Sequence, residues 1–225
     1  MKLYRFTARQ RMNDFFDTGA VRIGHLHGFR DTVAHGPHRG DAEEGMRQLH
    51  RRVDERGLLG RGETGDPFID SFIKVENPNA NVWVGNSYFQ RAENFDDGYV
   101  FCMCEQFVEA DFCRWHERFG ADACYEIEGE SFVDEIVKTI QDLARPLVCA
   151  PVQYVNRNFD YRDPRVAIPS ALLKPEEYSW QLERRMVWEP THAARPLAPI
   201  DTEVPSAIRF ARPYALFEGG GVRLL

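Results

Sequence analysis

No apolar run in the 225 residues approaches the roughly 20 residues that a membrane-spanning helix needs. The opening residues, MKLYRFTARQR, hold one lysine and then a strand-like run, without the apolar centre of a secretory signal. A cytoplasmic location with no membrane partner is therefore expected. Cysteine is sparse and odd in number, five residues with no framework spacing, as in a chain kept in a reducing compartment. Internal repeats, low-complexity tracts and a clear linker are all lacking, which leaves a single domain over 1–225 as the expectation. Lysine is far outnumbered by arginine, a bias that genome composition alone can produce.

What is present is core-forming material. A hydrophobic content of 43% with 12% aromatics excludes a disordered composition. The net charge of -7 argues against generic nucleic-acid binding, yet it is unevenly placed. Residues 1–61 hold 12 Lys and Arg against 8 Asp and Glu, +4, while the remainder holds 16 against 27, -11. A solvated basic helix explains the first block, and so does a face that receives a phosphate-bearing ligand or nucleic acid.

Patterning and breakers predict the elements. KLYRFT (2–7) reads as a strand, and Thr7 as a cap for the helix ARQRMNDFFDTG, which Gly19 closes. AVRIG (20–24) is a second strand, and 25–45 a long loop rich in His and Gly. The 42–57 segment is expected to be helical at its centre. Strands are expected at 68–76, 81–89, 99–105 and 122–128, and helices at 107–120 and 130–143, the latter from apolar residues at 132, 133, 136, 137, 140 and 143. The proline-interrupted strand 146–155 suits a sheet edge, and β-like segments recur at 206–211 and 222–225. The class is α+β, with segregated antiparallel strands, and a long loop or helical insertion is expected around 25–66.

The segment YSWQLERRMVW (178–188) carries the chemistry. Read as one strand, it puts Gln181, Glu183 and Arg185 on one side, because alternate residues share a face. A carboxylate can stabilise an oxocarbenium-like state such as that formed when a nicotinamide–ribose bond breaks, and an ion-paired strand glutamate explains Glu183 equally well. Gln181 can orient a nucleophile but cannot act as a base. Arg185 is expected to pair with another acid. Arg5 offers a planar fork suited to pyrophosphate or ribose, or is a surface residue of an edge strand.

Three blocks together suggest a family: LYRFTARQRMNDFFDTGAVRIG, the central strand YVFCMCE, and QLERR. Their order resembles the arginine-serine-glutamate class of the ADP-ribosyltransferase superfamily. It also resembles a widespread bacterial domain family of unknown function with similarly ordered YR, GD..EG, CFSE-like and Glu-x-Glu-x-Arg motifs. Cys102 and Cys104 stand where the first family carries serines. The resemblance implies a split, mostly antiparallel β core with peripheral helices and a cleft that holds NAD as substrate. It implies catalytic roles for Glu183 and Gln181, and contact with NAD by Arg5, Thr7, Cys104 and Glu105. The acceptor of ADP-ribose is a protein, a nucleic acid or a small molecule, and a bacterial or phage toxin or a defence component would fit. A non-catalytic nucleotide-sensing or partner-binding module of the same fold is the alternative.

Other clusters admit both structural and functional readings. Asp41, Glu43 and Glu44 could chelate an ion or clamp a ribose, or lead into a helix. His25, His27, His35 and His38 lack metal-site spacing and read as solvated loop residues. Cys102, Cys104, Cys113, His116 and Cys124 are zinc-ligand types, but the first two sit inside an apolar strand, where free cysteines behave as small hydrophobes. No metal is expected.

Overall fold

A computed structural model describes residues 1–31, 33, 41–192 and 196–225. In chain order the elements are β1 (Lys2–Thr7), α1 (Arg9–Thr18), β2 (Ala20–His25), β3 (Met46–Val53), β4 (Leu58–Arg61), α2 (Pro67–Asp70), β5 (Asn81–Val84), β6 (Ser87–Asn94), β7 (Tyr99–Cys104), α3 (Glu109–Phe119), β8 (Ala123–Glu128), α4 (Gly129–Ile140), β9 (Ala144–Pro151), β10 (Gln153–Tyr154), β11 (Asn158–Asp160), β12 (Leu173–Lys174), β13 (Glu183–Pro190), β14 (Ile200–Glu203), β15 (Ala211–Glu218) and β16 (Gly221–Leu224). The architecture is α+β, with mostly antiparallel pairing and few helices. Among the described residues no helix is long and apolar enough to cross a membrane.

Two compact units divide the chain. The first comprises Met1–Gly45, Asp96–Val155 and Ala171–Leu225, the second Met46–Phe95 and Asn156–Ser170. The second unit overlaps the insertion expected around 25–66 only from Met46 onward. Its β3 pairs antiparallel with β6 and parallel with β11, while β4 pairs with β5. Arg47 and Arg51 anchor it through Glu93 at 2.7 Å and Asp66 at 2.9 Å.

Three expectations fail in this unit for physical reasons. The helix expected within 42–57 is strand β3: buried Leu49 and Val53 lie four apart, a spacing that fits both periods, and pairing with β6 and β11 decides. The strand expected at 68–76 begins instead as α2, because the Asp66 side chain accepts the Phe68 and Ile69 N–H groups and Pro67 occupies the first turn. The single strand expected at 81–89 is β5 and β6, separated at Asn86, whose φ of 48° is tolerated by Asn.

In the first unit a nine-stranded sheet runs β14-β2-β7-β1-β8-β15-β16, with β13 on the other side of β7 and β9 beyond β13. One face is apolar: Leu3, Phe101, Met103, Tyr125, Ile127 and Trp188 pack against Phe15 of α1 and Phe132 and Ile136 of α4. Phe15 stacks on Tyr125 with centroids 5.1 Å apart. Helix α1 ends as expected at Gly19, whose φ of 82° lets its N–H reach the Phe15 carbonyl at 2.7 Å. Its start differs: Thr7 remains in β1, Ala8 is the N-cap residue, and Asp122 accepts the Arg9 N–H at 2.5 Å. The proline-interrupted strand expected at 146–155 divides: β9 lies at an edge and, among the described residues, pairs only with β13, while β10 pairs parallel with β12 in a separate two-stranded sheet. The β-like segment expected at 206–211 is a 3-10 turn, Pro205–Phe210, leading into β15.

Candidate active site

Strand parity builds the site. Antiparallel register sets Glu183 opposite Cys104, Arg185 opposite Cys102, and Tyr4 opposite Cys104. All five therefore share the face opposite the apolar core, while Phe101, Met103 and Met186 point into it. Gln181 does not belong to this alternation. The chain forms a 3-10 turn over Glu176–Gln181, Leu182 adopts φ 44° and ψ 45°, and β13 begins only at Glu183. This left-handed conformation is costly for leucine. It is held by the Glu105 N–H donating to the Leu182 carbonyl at 2.8 Å and the Glu183 N–H donating to the Tyr154 hydroxyl at 2.7 Å. Gln181 nonetheless reaches Glu183's surroundings: Lys174 Nζ donates to Gln181 Oε1 at 2.8 Å and to Glu183 Oε2 at 2.7 Å.

Glu183 is the hub of a buried charge network. Arg185 Nε donates to its Oε1 at 2.8 Å, and Arg185 Nη1 and Nη2 grip Glu44 at 2.7 and 3.1 Å. Nη1 also donates to the Ala171 carbonyl at 2.6 Å. Two cations and two carboxylates balance, all shielded from water; Glu44 is 0% and Arg185 1% exposed. Burial opposes ionisation of Glu183, but the charges of Arg185 and Lys174, with hydrogen bonds from Arg185 and Cys102, outweigh it and hold the carboxyl well below the usual range. Burial, reinforced by the Glu183 charge, pushes the Cys102 thiol up to about 12 and drives Cys104 upward too. Neither cysteine is a thiolate at neutral pH.

Arg5 approaches from the other face. Its register partner is Tyr125, on the core side. Strand β7, however, pairs with β2 only at Tyr99 and Val100 and with β1 only at Cys104. Between these points its edge meets no strand on that side among the described residues. The Arg5 guanidinium occupies this opening, donating to the Cys102 carbonyl and standing 4.5 Å from the Phe101 ring centroid.

A cavity of about 570 Å³ lies there, lined by both Arg5 and Glu183. Its size suits a small-molecule ligand. Arg11, Arg22, Lys174 and Arg185 add further cations, and Glu183 is its one acidic lining residue among those described. Gln181 and Cys104 also line it, whereas Thr7 and Glu105 do not. Thr7 faces a second cavity of about 470 Å³, shared with Arg5, Arg11 and Arg22. Glu105 is turned away into an ion pair with Arg184 at 3.0 Å.

Several participants left weak marks in the sequence. Lys174 and Tyr154 fall in segments without periodicity and meet Glu183 only through folding. Glu44, from the acidic 41–44 cluster, is the buried partner of Arg185, and the following element is a strand rather than a helix. His25 ends β2, half-buried against Asp97, not solvated. His35 and His38 lie outside the described residues. Among those described, no group of three or more His, Cys, Asp or Glu side chains is arranged to hold a metal ion. Comparison of the chain with protein-family models, with curated proteins and with solved structures gave no match.

Proposed function

We propose that this protein is an ADP-ribosyltransferase-like enzyme that cleaves NAD and passes ADP-ribose to an acceptor. The observation that carries the reading is the convergence of Arg5 and Glu183 on one cation-rich cavity. The opening along β7 supports a split β core. A pyrophosphate suits the arginines, whose forks bind phosphate oxygens in pairs. Glu183, kept ionised, is suited to stabilising the positive charge on the ribose as the bond from C1′ to the nicotinamide nitrogen breaks. The bonding electrons leave with neutral nicotinamide. Gln181 accepts from Lys174 through its carbonyl oxygen, which leaves its NH₂ group to orient an acceptor.

A non-catalytic nucleotide sensor of the same fold is the second reading. It is favoured by the engagement of both Glu183 oxygens with cations and by the thiols standing in place of hydroxyls. Incubation with labelled NAD and cell lysate separates the two. Enzymatic action is expected to release nicotinamide and transfer label, and both are expected to vanish in Glu183→Gln while the variant remains folded. Binding without turnover supports the sensor, and absence of NAD binding removes both readings.

A further inference from the structure

Resting on the NAD reading, we infer that His25, oriented by Asp97, is the general base that takes the proton from the acceptor nucleophile in the Glu183 cavity. The chemistry leaves this position unfilled. An acceptor hydroxyl, amine or water must lose a proton as it attacks C1′ of the ribose. Gln181 cannot take it. Glu183 is ion-paired at both oxygens. The remaining ionisable lining groups apart from His25 are guanidinium, ammonium, thiol and phenol.

His25 lines the same cavity. Its Nδ1 lies 3.0 Å from Asp97 Oδ2 and 3.2 Å from the Gly28 nitrogen. Nδ1 can serve only one of these as a neutral ring. A carboxylate only accepts, so contact with Asp97 requires the proton on Nδ1. The Gly28 contact is then secondary, and the lone pair resides on Nε2. Asp97 is itself fixed, its Oδ1 accepting the His27 N–H at 2.9 Å. Nε2 has no hydrogen-bond partner among the described residues. The ring packs closely on residue 28, where only glycine leaves room: a Cβ there would stand over the ring face, 2.6 Å from Nε2 and 3.0 Å from each adjoining ring carbon. An imidazole held by a carboxylate through Nδ1, lining a cavity and with Nε2 unpartnered among the described residues, is a general-base arrangement.

The step balances as NAD plus acceptor O–H giving ADP-ribosylated acceptor, nicotinamide and a proton. The C1′–N bond breaks, the C1′–O bond forms, and the proton passes to Nε2 and then to solvent.

The test uses the full chain with NAD, comparing wild type, His25→Asn, Gly28→Ala and Glu183→Gln for nicotinamide release in the presence and absence of azide. Asparagine preserves a donor toward Asp97 but removes the base, and a thermal melt confirms that each variant is folded. His25→Asn is expected to lower kcat about 100-fold or more with KM for NAD little changed. Azide carries no proton to lose, so it is expected to restore nicotinamide release and form ADP-ribosyl azide in His25→Asn but not in Glu183→Gln. Gly28→Ala, whose Cβ presses on the imidazole face and displaces the ring, is expected to slow the reaction with the normal acceptor and to respond to azide likewise. Turnover in folded His25→Asn within about threefold of wild type, or its loss without azide rescue, overturns the role of His25 and leaves the NAD reading intact. A wild type that neither binds nor cleaves NAD overturns both together.

Discussion

The two faces of strands β7 and β13 are built from alternate residues of the same few positions, and they hold opposite kinds of matter. Phe101, Met103, Met186 and Trp188 bury hydrocarbon against α1 and α4. Their neighbours Cys102, Cys104, Glu183 and Arg185 line a charged cavity. Burial of apolar area on one side stabilises the sheet non-directionally, whereas the other side depends on charges that are stable only as a complete set. Along β7 and β13 the sheet thus sets what holds the fold and what the cavity can do one residue step apart, and Arg5 and Met103 cross that division at the opening along β7.

Breaking the charged face is expected to give the largest effect. Arg185→Met leaves Glu183 and Glu44 buried without their shared cation, and about 3–5 kcal/mol of stability should be lost, measured by urea unfolding. Phe132→Ala on the apolar face should cost about 3–4 kcal/mol, with NAD affinity of the folded fraction unchanged. Equal loss of affinity in both variants would contradict the separation.

Acid sharpens the same contrast. The folded-state pKa of Glu183 is depressed, so its contribution is complete above the ordinary carboxylate value of about 4.3 and is lost as pH falls from there toward the folded value. Unfolding free energy should therefore decline through that window, and more shallowly in Glu183→Gln than in wild type. The smallest effect is expected for Arg5→Lys, which keeps the charge but removes the planar fork. NAD affinity should fall about tenfold, roughly 1.4 kcal/mol, readable as altered quenching of the cavity-lining Trp115.

The apolar face was largely legible from sequence. The spacing of Phe132, Val133, Ile136 and Ile140 marks α4, and Gly19 marks the end of α1, because both signals are local. The shared side of Glu183 and Arg185 was legible too, since parity needs only a strand. Gln181 was misplaced because Leu182 is left-handed, and leucine gives no warning of that conformation. Lys174, Tyr154 and Asp97 were invisible for a different reason: each acquires its meaning from a partner elsewhere in the chain, across a fold that no short motif encodes. The opening along β7 likewise depends on where β1 and β2 stop pairing, a property of three strands together.

Crystals grown with NAD test the central claim most directly. The expected density places the pyrophosphate against Arg5 and the nicotinamide ribose within hydrogen-bond distance of Glu183, inside the cavity the two residues share. NAD bound elsewhere on the molecule, or a cavity left empty at saturating NAD, would contradict it.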